Sequence, residues 1–180
     1  MFPKRMILSN GVPLAIRPAQ KRDAAATLAC INRAGGETDF LTFGRNQFPG
    51  SMSDEEHFIQ RMQDASNSLM LLAEIDGRVV GVLTFEGGQT PRIQHTGEFG
   101  ISVLQEYWGL GIGSQLVASL IEWARSTGII RKINLRVHTN NLRAIKLYER
   151  FGFKVEGQIS REYNVAGQFY DNLAMGLPID

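Results

Sequence analysis

The run Val103-Leu104-Gln105-Glu106-Tyr107-Trp108-Gly109-Leu110-Gly111-Ile112-Gly113-Ser114-Gln115-Leu116 sets three glycines on alternate positions between a strand-like segment and a helical one. Glycine adopts backbone angles that other residues avoid, so such a turn can aim successive N–H groups at one point. The positive end of the helix that follows adds to the same field. The chain is thereby constrained to a strand-turn-helix unit whose natural guest is a phosphate or diphosphate. A Walker-type loop needs Gly-Lys-Ser/Thr, and here Ser114 follows Gly113 with no lysine. A dinucleotide fingerprint needs Gly-x-Gly-x-x-Gly and an acidic residue about twenty positions on. The glycines at 109, 111 and 113 are spaced differently, and the next strand-like run ends in Arg136 and His138. Both classes are disfavoured.

The surrounding pattern alternates strands and helices. Leu14 and Ile16 before Pro18 predict a first strand, and Asp23 predicts the start of an alanine-rich helix running toward Asn32. Residues 35–50 read as an irregular loop carrying Phe40, Leu41, Phe43 and Phe48. Ser53-Asp54-Glu55-Glu56 reads as a capping box opening a second helix through Met62. Leu69 to Ile75, the Asp76-Gly77 turn and Arg78 to Phe85 predict a β-hairpin, and Thr96 to Val103 predicts a further antiparallel strand. Leu116, Val117, Leu120, Ile121 and Ala124 fall on one helical stripe closed by Gly128. Ile133, Leu135 and Val137 then alternate with polar residues, a strand reached by a helical crossover and so parallel to the Thr96 strand. Ala144, Ile145, Tyr148 and Phe151 line a last helix, and the segments around Phe153 to Val155 and Phe169 to Leu177 suggest a closing hairpin.

Composition narrows the function classes. Across 180 residues, with 43% hydrophobic and 21% charged residues, the expectation is one globular domain spanning 1–180 that buries roughly 70% of its unfolded surface. A formal net charge of +1 supports no polyanion as partner, and no apolar run suits a signal peptide or membrane span. Cys30 is the single cysteine, set among Leu28, Ala29 and Ile31, which reads as packing in a reducing, cytoplasmic setting. His57, His95 and His138 lack metal-ligand spacing, so no metal is expected.

A second motif, Asn141-Leu142-Arg143-Ala144-Ile145-Lys146-Leu147-Tyr148-Glu149-Arg150-Phe151-Gly152-Phe153, follows the glycine turn after one intervening strand. In that order the two resemble the GNAT superfamily of N-acetyltransferases, and in particular a poorly characterised bacterial subgroup with Tyr-Trp-Gly-x-Gly-Ile-Gly. The resemblance implies an α/β mixed sheet with helices on both faces, an antiparallel meander, two parallel strands that splay apart, and a C-terminal hairpin. It implies acetyl-CoA as cosubstrate, with the loop amides of Trp108, Gly109, Leu110, Gly111, Ile112, Gly113 and Ser114 around the diphosphate. Ile101, Ser102 and Val103 would pair with the pantetheine arm, Asn141 would hold that arm beside Ala144, and Tyr148 would face the thioester sulfur. Trp108 stands where the family loop usually has Gln or Arg, so backbone dipoles must meet the phosphate charge, with Arg143 or Lys146 as helpers. The edge of the terminal hairpin is the candidate surface for a homodimer.

Acyl transfer to an amine needs a neutral amine, a stabilised carbonyl oxygen and a proton for the leaving thiolate. Glu98 shares a strand face with Gly100 and Ser102, opposite Phe99, Ile101 and Val103, and is the candidate base, directly or through water. Its bland alternative is a solvated strand charge. Tyr148 is the candidate acid and otherwise a core ring; Asn141 is otherwise a helix cap. The Val103 N–H is the candidate donor to the carbonyl oxygen. Glu37, Asp39, Phe40, Phe43, Tyr163 and Tyr170 are the candidate acceptor-facing groups, suited to a cationic amine of a small molecule or peptide N-terminus. The competing readings are a non-catalytic acyl-CoA sensor on the same scaffold and an unrelated nucleotide-binding module.

Overall fold

The computed structural model describes residues 2–180. Eight strands form one sheet in the order β1-β2-β3-β4-β5-β6-β8-β7. The antiparallel meander comprises β1 (Lys4–Ile7), β2 (Pro13–Pro18), β3 (Leu69–Ile75), β4 (Arg78–Gly87) and β5 (Thr96–Val103). Beyond it lie β6 (Lys132–His138), parallel to β5, and the hairpin of β7 (Lys154–Val165) and β8 (Gln168–Pro178). Helices α1 (Ala24–Gly35) and α2 (Met52–Asp64) cover one face; α3 (Ile112–Thr127) and α4 (Leu142–Arg150) cover the other.

Two apolar layers hold these helices. Leu71, Leu83, Phe85, Phe99 and Ile133 pack with Leu116 and Leu120 of α3 and Tyr148 of α4. On the opposite face Met70, Leu72, Val79 and Val82 meet Cys30 and Ile31 of α1 and Ile59 and Met62 of α2. β3 is buried on both faces, which is why Leu-Met-Leu-Leu-Ala reads as an unbroken apolar run rather than an alternation. The β3–β4 turn has Asp76 at φ 49° and Gly77 at φ 76°, the two left-handed residues a tight hairpin needs. α3 ends at left-handed Gly128, as expected from its sequence.

The meander, the parallel crossover, helices on both faces and the closing hairpin all stand as the sequence implies. Four details differ. β1 was not anticipated, because its Lys-Arg-Met-Ile stretch is short and merely half-buried at the sheet edge. The capping box lies two residues earlier than Ser53: Ser51 Oγ accepts from Asp54 N at 3.2 Å while Asp54 accepts from Ser51 N at 2.7 Å. Asp23 makes no side-chain cap on α1; it accepts from Gln20 N and pairs with Arg17 at 2.7 Å, pinning a short 3-10 turn before the helix. The final strands are 12 and 11 residues long, and β8 rather than β7 lies beside β6.

Phe85 is fully buried and meets Trp123 edge-on at 5.7 Å. Phe85→Ala should cost about 3–5 kcal/mol of unfolding free energy, measured by chemical denaturation.

Candidate functional site

Pairing between β5 and β6 covers three positions only, Thr96↔Lys132, Gly97↔Ile133 and Glu98↔Asn134. β5 then runs on to Val103 and β6 to His138 without further pairing, so the sheet splits from its own interior. The other edge of β5 determines which groups line the split. Gly88 N donates to Thr96 O and Leu104 N to Val80 O, both at 2.9 Å, so even-numbered residues exchange bonds with β4. In an antiparallel ladder the intervening residues point their N–H and C=O the other way. Ile101 and Val103 therefore present main-chain donors and acceptors to the opening.

The wide end of the split meets the glycine turn. Gly109 (φ 85°) and Gly111 (φ 87°) are left-handed, whereas Gly113 lies inside the first turn of α3. Two glycines rather than three are thus required by backbone angle. The third leaves room: a Cβ at Gly113 would stand 3.8 Å from Leu147 and 3.9 Å from Ile101. The first main-chain hydrogen bond of α3 runs from Gln115 N to Gly111 O, and Gly111 has no side chain to cap the amides of Ile112, Gly113 and Ser114. These amides converge at the positive end of a 16-residue helix, with Leu110 half-buried beneath the turn.

Trp108 departs from the Gln or Arg expected at its place, and the structure shows what it does instead. Its Nε1 donates to Val103 O at 2.7 Å, which uses that carbonyl and leaves the Val103 N–H. The Arg143 guanidinium from α4 lies 5.8 Å from the centre of the Trp108 ring, so a cation stands beside the turn although the loop carries none. Asn141 caps α4, its Oδ1 accepting from Ala144 N at 3.2 Å. That cap accounts for the oxygen and leaves the amide nitrogen of Asn141 free for another partner.

Glu98 and Tyr148 flank the apex of the split from opposite faces. Glu98 is on the α1/α2 face with Gly100 and Ser102, as its alternation implied. Its carboxylate is half exposed and pairs with Arg136 Nε at 3.5 Å; Arg136 also pairs with Glu162. Neither Arg136 nor Glu162 is suggested by a local motif, since the two strands that carry them lie 26 positions apart. Tyr148 is buried on the other face, edge-on to Phe99 at 5.7 Å and Phe153 at 5.9 Å. Burial raises its phenol above the usual tyrosine range, with nearby Tyr163 adding to the effect.

On the Glu98 face, the end of β6 carries a cluster centred on His138, whose place there sequence reasoning missed. His138 is 3% exposed and packs against Tyr170 at 4.8 Å, Phe40 at 5.2 Å and Tyr163 at 5.5 Å. Its Nδ1 accepts from Asn140 N at 3.1 Å, which places the proton of the neutral ring on Nε2. Tyr163 OH donates to Phe40 O at 3.3 Å, so the 35–50 loop is joined to the terminal hairpin. Of the acceptor-facing residues expected from sequence, Phe40, Tyr163 and Tyr170 meet here with Asp39 nearby. Phe43 does not; it packs on Phe48 over α1. Glu37 also turns elsewhere, toward Gln105. Among the described residues no group of His, Cys, Asp and Glu could hold a metal ion, and no helix is long and apolar enough to cross a membrane.

Comparison with known proteins gives a concordant result. A family model described as the acetyltransferase (GNAT) family matches residues 38–153. The L-amino acid N-acetyltransferase AaaT of Escherichia coli K12 is 35% identical over 112 residues, covering 62% of this chain and 69% of that protein. The crystal structure of a GNAT-family acetyltransferase from Streptococcus pneumoniae superposes with a TM-score of 0.89 at 34% identity, over 93% of this chain and 99% of that one. The structure of yncA from Salmonella typhimurium with its cofactor acetyl-CoA gives 0.81 at 25% identity, over 93% and 94% of the two chains.

Two stability measurements test the local geometry. Gly111→Ala, forced into a left-handed backbone, should lose about 1–2 kcal/mol, whereas Gly113→Ala should be neutral or slightly stabilising. Burial holds the His138 imidazole below its ordinary proton affinity, with Asp39 opposing. Its contribution to stability is therefore full above about pH 6.5 and is lost as pH falls through the lower folded value. Denaturation midpoints between about pH 8 and pH 5 should show this decline, and His138→Phe should flatten it.

Proposed function

This chain belongs to the GNAT acetyltransferase family, and on that premise we propose that it transfers an acetyl group from acetyl-CoA directly to a primary amine. The observation that carries the reading is the split between β5 and β6 opening onto the uncapped α3 N-terminus. The free amides of residues 112–114 suit a diphosphate, and the main-chain groups of Ile101 and the N–H of Val103 suit an arm that adds to β5 as a strand would. Ser102 lines the acceptor side of that strand, and Ala144 and the free amide nitrogen of Asn141 border the arm from α4. Arg143, resting on Trp108, supplies the cationic side chain that the loop lacks.

In the reaction the amine nitrogen attacks the thioester carbon, the carbon–sulfur bond breaks, and the acetyl group leaves on nitrogen. The Val103 N–H, which points away from β4 into the opening, donates to the carbonyl oxygen. Five residues of strand separate Val103 from Glu98, about 17 Å at the usual rise. That exceeds the reach of a glutamate side chain and of one bridging water, so the amine proton passes to Glu98 along a chain of several waters. Tyr148 gives its proton to the departing thiolate. Burial raises the phenol, which keeps it protonated and able to donate. Cys30 offers no covalent route: it is 3% exposed, and burial pushes its thiol up to about 12.

The acceptor lies on the face bearing Glu98, Arg136, His138, Tyr163 and Tyr170. Carboxylates with aromatic rings favour an ammonium group, and Arg136 adds a place for a carboxylate. The similarity to an L-amino acid N-acetyltransferase supports an α-amino group as the one acetylated. We place the reaction in the reducing cytoplasm, in keeping with a lone buried cysteine.

Acetyl-CoA at a hundredfold excess over its Kd should stabilise the protein by about 2.7 kcal/mol, read as a rise in Tm. Thiol release against pooled amines should then identify the acceptor; binding of CoA with no thiol release would favour a sensor, and no stabilisation would overturn both. Tyr148→Phe should lower kcat by about 10²-fold with packing retained. Glu98→Gln should depress kcat/KM most at low pH, where neutral amine is scarce, and a pH-independent effect would remove Glu98 from the mechanism.

A further inference from the structure

We propose that Glu37 is a positioning residue that sets the grip of the glycine turn on CoA; this rests on the acetyltransferase reading above. The turn is entered through a 3-10 segment, Gln105–Tyr107, and Leu104 before it offers no side-chain cap. The missing cap comes from 68 residues away: Glu37 Oε2 accepts from Gln105 N at 2.6 Å. The other carboxylate oxygen accepts from Arg33 Nε at 2.9 Å. Arg33 also reaches Glu106 at 3.1 Å, and Arg78 reaches the same Glu106 oxygen at 3.3 Å. The first two residues of the entry segment are thus tied to α1 and to the start of β4 by a charged network. The Glu37 side chain is only 12% exposed and reaches the exposed Gln105 amide with a charged acceptor, which makes a stronger hydrogen bond than a neutral one.

Packing holds Glu37 in place. Glu37 N donates to Ala34 O at 3.0 Å, closing the end of α1. A Cβ at Gly35 would come within 2.7 Å of Gly44 O, and one at Gly36 within 2.6 Å of the Arg45 side chain. The two glycines therefore let residues 43–45 close onto the helix end. Three residues beyond Glu37, Phe40 joins His138 and Tyr163 on the acceptor face. One short segment thus braces the coenzyme turn at its beginning and the acceptor floor at its end. Glu37 acts through Gln105 and touches neither substrate, so its effect belongs in coenzyme affinity rather than in the chemical step.

The test is calorimetric titration with CoA, alongside steady-state kinetics with acetyl-CoA, on wild type, Glu37→Ala and Glu37→Gln. Glu37→Ala should weaken CoA binding about tenfold and raise the KM for acetyl-CoA in step, with kcat at saturation within about twofold. Glu37→Gln keeps an oxygen for the Gln105 amide and should restore affinity to within about threefold of wild type. A general loss of structure would instead lower the apparent kcat with KM unchanged, and the Gln variant would not rescue it; that outcome overturns the inference. If Glu37→Ala does not fold, Glu37→Asp, which keeps the charge but draws the oxygens back by one bond, should show the same split. CoA binding by a folded Ala or Asp variant equal to that of wild type overturns this inference alone. Wild-type protein that does not bind CoA overturns the acetyltransferase reading and this inference with it.

Discussion

Hydrogen bonding between β5 and β6 stops after three residue pairs, and the rest of the site is arranged around that stop. A buried strand normally satisfies its main chain on both edges, because an unpaired amide away from water is costly. β5 does so on its β4 side; on the other it leaves Ile101 and the Val103 N–H open, the Val103 carbonyl being taken by Trp108. Such an edge inside a sheet is tolerable when water or a ligand with complementary polar groups occupies it. The edge is also protected from annealing, because α3 and α4 pack beneath and the loop from α1 crosses above.

The split gives the two faces of the sheet different work. Tyr148 belongs to the apolar layer under the sheet, among Phe99 and Phe153. Glu98, Arg136 and Glu162 form a charged chain on top, beside the aromatic cluster around His138. A strand's alternation sends neighbours Glu98 and Phe99 to opposite faces, so one short stretch of β5 presents a carboxylate on one side and contacts a phenol on the other. The opening between strands joins the two environments.

Much of this architecture was legible locally. Asp76-Gly77 has one favourable reading between two apolar runs, and the 3.6-residue stripe from Leu116 to Ala124 has one as well. The glycine turn announced its helix, and the strand pattern placed Glu98 correctly opposite Phe99. What escaped was either weak in pattern or remote in sequence. β1 buries too little for its alternation to stand out, and its pairing with β2 is what makes it a strand. Ser51 rather than Ser53 caps α2, although a serine stands at each position, because only Ser51 exchanges bonds with Asp54. Glu37 looked like an acceptor group because an acidic residue in an aromatic loop carries no mark of the amide it will meet.

By itself the sequence determined the elements whose signals lie within one helix or one hairpin: periodicity, glycine placement, the order of strand, turn and helix, and the second motif that made the family recognisable. These are short-range because backbone angles and side-chain faces repeat over two to four residues. Tertiary structure alone decided how far β5 and β6 stay paired, that Trp108 engages Val103 and carries Arg143, and that Arg136 stands between Glu98 and Glu162. It also decided that Glu37 caps a turn 68 residues away. Each of these joins groups whose meeting depends on how twisted strands and packed helices fill space together, and no local pattern in the chain records that.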